Sequence, residues 1–265
     1  MRRVLLSILI GLLPSWHAAQ AKTLLAVFAH PDDEALVGPL LSSYARRGTK
    51  VHLIIVTQGE KGDSPHAGIP KGLPLARVRA SEARCAARAL GIEDPILLGF
   101  ADGELGKQSQ PPWAHLADVE RAIRTHLSRI RPDVVITSGP EGAYGHPDHR
   151  LVGDAVTKLL AAGVDGSPAV LLYPGLPKDR MPKHGDWGDL PWSPVDSRYL
   201  TVRVPYDATD LAATRASLAC HRSQFRDDEI DSETRWIHRI LDGRVYLRPW
   251  FGAGQADDIF KIAIP

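Results

Sequence analysis

The feature that most limits how this chain can fold is an uninterrupted apolar run at residues 23–29, which ends on His30-Pro31-Asp32-Asp33-Glu34. A run without polar alternation marks a strand buried on both faces, and such strands belong in parallel sheets covered by helices on either side. An imidazole and three carboxylates at the exit of that strand concentrate the groups that a divalent metal or an acid–base pair requires. His146-Pro147-Asp148-His149 repeats the same chemistry more than a hundred residues later.

The rest of the pattern agrees with a parallel sheet. Strands are predicted at 50–57, 95–98, 134–137 and 170–173, with helices at 34–48, 75–90, 111–130 and from 149 onward. Alternation at this spacing gives βαβ units, and right-handed crossovers place every strand-to-helix loop at one edge of the sheet. The expected architecture is α/β, a Rossmann-like three-layer sandwich with a mainly parallel central sheet. Both histidine motifs fall in strand-to-helix loops, where open α/β sheets bind their ligands. After residue 173 the pattern changes to a Pro-rich loop at 174–197, a strand at 199–204, helices at 209–224 and 227–241, and edge strands at 245–247 and 259–264. Trp187 and Trp192 in that loop, with Trp250 and Phe251 near the end, suit either a sugar-stacking platform or loop packing. His184 in the same loop has no assigned role.

A chain of 265 residues, 44% hydrophobic and 24% charged, suits a single domain over residues 22–265. Its net charge of +1 gives no electrostatic argument for a nucleic-acid or membrane-surface partner. Residues 1–21 have the layout of a secretory signal peptide: Arg2 and Arg3, an apolar stretch, then Ala19-Gln20-Ala21. The apolar stretch falls well short of the ~20 residues that span a bilayer. The expectation is a secreted or periplasmic protein with no integral membrane segment after cleavage. Cys85 and Cys220 sit in apolar helical patterns and are read as small buried thiols, although an oxidising compartment permits a bridge.

His30 and Asp33, three residues apart at a corner stiffened by Pro31, can aim at one point. A third ligand would come from His149 or His146. Two histidines and a carboxylate suit zinc, and iron or manganese as well. Asp32 is placed to take a proton from water. The histidine not engaged by metal would steady an oxyanion, with Asp148 orienting it.

This constellation resembles the PIG-L (LmbE-like) zinc-dependent de-N-acetylases. The resemblance runs from about residue 23 to 225 and rests on Ala29 to Glu34 and His146 to His149. Thr57-Gln58-Gly59-Glu60-Lys61-Gly62, Arg79-Ala80-Ser81-Glu82, residues 98–103 and His221-Arg222-Ser223-Gln224 follow in the family's order. It implies Zn2+ held by His30, Asp33 and His149, with Asp32 as general base and His146 as the cation at the oxyanion, oriented by Asp148. It also implies that Tyr144, Arg79 and Asp102 contact substrate. Arg79 is equally placed to pair with Glu82 on its own helix, and Asp102 to cap a turn. Glu60 reads as a loop-ordering residue. Glu34 suits either a helix-start charge or a partner behind the ligands. The implied reaction is hydrolysis of the acetamide of an N-acetylated amino sugar, in a small molecule or glycan, to free amine and acetate. The alternatives are a metal-dependent esterase or phosphoesterase, and a non-catalytic carbohydrate-binding protein. The intact Asp32 and His146 speak against the last.

Overall fold

Strand β1 (Thr23–Phe28) is the axis of the sheet. It pairs in parallel with β2 (Lys50–Thr57) on one side and β4 (Val134–Thr137) on the other. The computed structural model describes residues 21–107, 114–181, 191–252 and 254–263. The expected leader (bar Ala21), the start of the 111–130 helix, His184 and Trp187 lie outside them. Adding β3 (Ile96–Phe100), β5 (Val170–Pro174), β6 (Val202–Pro205) and β7 (Arg244–Pro249) gives one sheet in the order β3-β2-β1-β4-β5-β7-β6. The first five strands are parallel; β7 runs antiparallel to both β5 and β6.

The apolar run of β1 divides by alternation between two cores. Leu24, Ala26 and Phe28 face a layer built from α1 (Gly38–Arg46), α2 (Leu73–Leu90), α6 (Ala208–Leu218) and α7 (Asp227–Leu241). Leu25, Val27 and Ala29 face α3 (Ala114–Ile130) and α5 (Pro147–Ala161). Each fully buried aliphatic side chain contributes about 1.5–3 kcal/mol, so the strand that carries His30 is anchored from both sides. These are the three layers expected. Among the described residues, no helix is long and apolar enough to cross a membrane.

Several boundaries differ from expectation for local reasons. The helix after His30 begins as a 3-10 turn, Asp33–Val37, and becomes α-helical only at Gly38, with Pro39 in the first turn where its missing N–H leaves no bond unmade. α6 opens on a capping box between Asp207 and Asp210 and stops at Leu218 rather than 224. Residues 259–263 form no strand; Ile259 is fully buried against the α1 layer, and its N–H donates to the Tyr44 hydroxyl at 2.9 Å. Its apolar pattern records burial, not pairing.

The reading of Cys85 and Cys220 as free thiols is overturned, because they form a disulfide with Cα atoms 5.7 Å apart. Cys85 lies on α2 and Cys220 just past α6, and both look apolar in sequence because they face each other across the contact between those helices. The bridge closes a loop across 135 residues of sequence, so Cys85→Ser/Cys220→Ser is expected to lose about 2–4 kcal/mol of stability in denaturant unfolding. Reduction of the wild-type protein should give the same loss.

α5 crosses the exit of β4 so closely that a Cβ on Gly153 would lie 2.1 Å from the Ser138 carbonyl oxygen. Gly153→Ala should therefore destabilise by about 1–3 kcal/mol through overpacking. Thermal unfolding of the variant checks this.

Candidate metal centre and catalytic cleft

The loops that leave β1, β2, β3 and β4 meet at the carboxyl edge of the sheet. The chain is pinned just past the end of β1: the Ala29 carbonyl accepts the Thr57 N–H at 2.8 Å and the Thr57 hydroxyl at 2.9 Å. The chain then turns so that Asp33 Oδ2 accepts the N–H groups of Ala29 and His30, at 3.1 and 2.8 Å. From the β4 side, α4 (Gly142–Gly145) leads into α5, whose first turn carries His149.

The hydrogen bonds behind the two imidazoles fix what their front atoms can offer. His30 Nε2 lies 3.1 Å from Asp102 Oδ1 and 3.5 Å from Asp148 Oδ2. Ionised carboxylates only accept, so this nitrogen carries the proton. His149 Nδ1 donates in the same way to the Gly142 carbonyl at 3.2 Å. In the neutral rings His30 Nδ1 and His149 Nε2 are left as lone pairs facing each other at 3.1 Å, with the Asp33 carboxylate 3.6 Å from the first and 3.1 Å from the second. Both rings are buried. Three acceptors around one buried point demand a cation. Ligand atoms at zinc bond lengths of ~2.0–2.2 Å in a tetrahedron stand roughly 3.3–3.6 Å apart, which is close to the spacing found. The donor set thus fits a divalent metal.

The electrostatics lean the same way. Burial opposes a charge on His30, but Asp102, Asp148 and Asp33 outweigh it and hold the imidazole pKa well above its ordinary value. On His149 burial is likewise outweighed, chiefly by Asp33. For Asp33, burial would raise the pKa, yet His149 and His30 pull it well below the usual carboxylate range. Ligand atoms of His30, His146 and His149, and those of His30, Asp102 and Asp148, also lie within 4.8 Å of one another. In the first group His146 has its Nδ1 engaged by the Asp148 N–H at 3.2 Å. The second group is the backing of His30.

Asp32 stands apart from the ligands. Its backbone is left-handed, φ 100°, a region that strains a non-glycine residue by about 1–3 kcal/mol. Its Oδ2 accepts Arg79 Nη2 at 2.9 Å, and the same guanidinium binds the carbonyls of Pro31 and Gly59. Burial raises the Asp32 pKa, Arg79 lowers it, and Asp33 adds to the rise, leaving it above the ordinary value.

A cavity of about 790 Å³ opens beside Asp32, Asp33 and His149 and runs to Tyr144, Trp192 and Trp236. The chain kinks at Ala143 (φ 61°), and the Tyr144 ring stands edge-on to His149 at 5.4 Å and to Trp192 at 5.6 Å. Trp192 stacks at 5.0 Å on Trp236, whereas Trp250 packs on Phe251 away from this wall.

Other expectations change. Arg79, Asp102 and His146 do not line the cavity; His146 borders a second pocket beside Gly103 and Asp148. Arg79 binds Asp32 rather than Glu82, and Asp102 backs His30. The Asp148 carboxylate does not orient His146; it accepts the Gly103 N–H at 2.7 Å and faces His30. Glu60 orders its loop, as expected, by accepting the Asp102 N–H. Glu82 instead holds Ser223. Glu34 is buried between the Asp32 N–H and His221. The run at 221–224 was the available signal for that last contact, but nothing in its spacing named a partner.

The sequence matches the model of a family described as PIG-L, GlcNAc-PI de-N-acetylase, over residues 25–160. The 1D-myo-inositol 2-acetamido-2-deoxy-alpha-D-glucopyranoside deacetylase 2 of Catenulispora acidiphila is 40% identical over 147 residues, covering 49% of this chain and 48% of the relative. The chain thus spans about half the length of the curated relatives it matches. Among solved structures, N,N'-diacetylchitobiose deacetylase from Pyrococcus horikoshii is similar with a TM-score of 0.61 and 22% identity, over 87% of this chain and 83% of that one. The 4-carboxy-2-hydroxymuconate hydratase of Pseudomonas putida KT2440 is similar with a TM-score of 0.59 and 17% identity, over 87% and 97%. At these identities the likeness is of fold, and a hydratase among such structures shows that fold alone does not name the reaction.

Removing a carboxylate behind a ligating histidine typically weakens metal binding about 10–100-fold. Asp102→Ala is expected to do so, as read by competition with a chromophoric chelator. Asp33→Ala should abolish binding in the same assay.

Proposed function

The chain belongs to the PIG-L family, and on that footing we propose that it is a zinc-dependent N-deacetylase acting on an N-acetylated amino sugar or glycoconjugate. The observation that supports this most is the meeting of His30 Nδ1, His149 Nε2 and the Asp33 carboxylate at one buried point, with Asp32 beside it at the mouth of a cavity. When bound there, the metal supplies Lewis acidity that polarises the amide carbonyl and acidifies water.

The protein's own groups carry the protons. Asp32, with its pKa raised, accepts a proton from the attacking water as a C–O bond forms. The C–N bond then breaks, and Asp32 returns the proton to the leaving nitrogen, giving acetate and a free amine. A positioned base of this kind contributes about 10²–10⁴-fold. His146 acts as a neutral donor and not as a cation: its Nδ1 accepts the Asp148 N–H, so Nε2 carries the proton. Burial, then His30 and His149, keep its pKa below the ordinary value. Burial and the nearby carboxylates raise the Tyr144 phenol, which stays protonated as a second donor towards the carbonyl or the sugar. A leader-like start and the Cys85–Cys220 bridge, at home in oxidising compartments, support a secreted or periplasmic setting and an extracytoplasmic glycan as substrate.

Incubation with N-acetyl-D-glucosamine and N,N'-diacetylchitobiose tests the reading. Amine and acetate should appear in equal amounts, vanish on chelation and return with zinc. Asp32→Ala should keep the metal while kcat falls about 10²–10⁴-fold. Full activity in metal-free protein would sink the mechanism, and inactivity on these amides alongside hydrolysis of an O-acetyl ester would point to an esterase.

A further inference from the structure

Asp32 holds a positive-φ backbone that is uncommon outside glycine, and the restraint comes from behind the site. Its N–H donates to Glu34 Oε2 at 3.0 Å. Glu34 is 1% exposed, and its other oxygen lies 2.7 Å from Nε2 of His221, which is fully buried. His221 Nδ1 has no hydrogen-bond partner among the described residues, so Glu34 is the ring's hydrogen-bonding engagement. The Ser217 hydroxyl adds a longer contact to the same Glu34 oxygen, 3.4 Å.

The base of this strut is fixed to the body that also grips the Asp32 side chain. Cys220, next to His221, is bridged to Cys85 on α2. Ser223 donates its N–H and hydroxyl to Glu82 on α2 at 2.7 and 2.6 Å. One turn earlier on α2, Arg79 binds the Asp32 carboxylate and the Pro31 carbonyl. Asp32 is thus clamped at its N–H by Glu34 and at its carboxylate by Arg79, and both clamps rest on the α2–α6 unit.

We propose that Glu34 and His221 are positioning residues of the reaction: together they hold the left-handed backbone of Asp32 and so aim its carboxylate at the attacking water. Neither touches substrate. The inference rests on the deacetylase reading, in which Asp32 is the base. Misplacing a catalytic group by about 1 Å can cost 10²-fold in rate, so the strut acts on turnover and not on binding.

The test uses the zinc-loaded full chain with Glu34→Ala, Glu34→Gln and His221→Asn. Three readouts are taken: bound zinc, the Asp32 amide resonance in ¹⁵N-labelled protein, and kcat and KM on N-acetyl-D-glucosamine. Glu34→Ala is expected to keep its zinc, shift the Asp32 amide upfield, and lose about 10–100-fold in kcat with KM within twofold. Glu34→Gln retains an acceptor oxygen of the same shape and should recover most of the rate. His221→Asn leaves Glu34 in place without its anchor and should lose several-fold in kcat by the same orientational effect. It carries the test if Glu34→Ala does not fold. An unmoved Asp32 amide, unchanged kcat at full zinc, or a rate loss that tracks zinc loss would overturn the proposal. Wild type inactive on every N-acetyl substrate would instead remove the deacetylase reading, while the amide resonance would still report whether the strut holds Asp32.

Discussion

Two imidazole nitrogens and a carboxylate meet at one buried point, and the surrounding groups keep them there. Each is held from behind by a group that is itself held. His30 leans on Asp102, which accepts the Lys61 N–H while its own N–H is bound by Glu60. Asp148, also behind His30, is fixed by the Gly103 N–H. His149 is set by a main-chain carbonyl, and Asp33 by two main-chain N–H groups. Much of the outer support is therefore backbone, which adds no side-chain entropy cost to the cost of folding the chain. The adjacency of β3, β2, β1 and β4 makes this possible, because it brings four loops to one edge.

What was legible in the sequence was whatever a single segment encodes. The apolar run before His30 and the strand-to-helix positions of both histidine motifs sufficed to expect His30 and Asp33 beside His146 or His149, and the family resemblance singled out His149. Roles set by a distant partner were not legible. Arg79 and Glu82 lie one turn apart on the same face of α2, which suggested that they pair. Only the packing of α2 against the β1 exit and the 221–224 turn assigns the first to Asp32 and the second to Ser223. The disulfide was missed for the same reason, since a buried-looking cysteine reads alike whether bridged or free. His146 Nδ1 accepts a backbone N–H two residues on, a contact that no residue pattern encodes.

The reacting groups and the cavity are built from different parts of the chain. Residues 30–149 supply the proposed ligands and base, within the stretch that matches the family model. Much of the apolar wall comes from later residues, among them Leu176, Trp192, Leu218, Phe225, Trp236 and Ile237. Selection can act on these two sets at different rates. An ancestral reaction centre can be inherited intact while the later segment drifts, so that descendants diverge in what they accept long before they diverge in what they do to it.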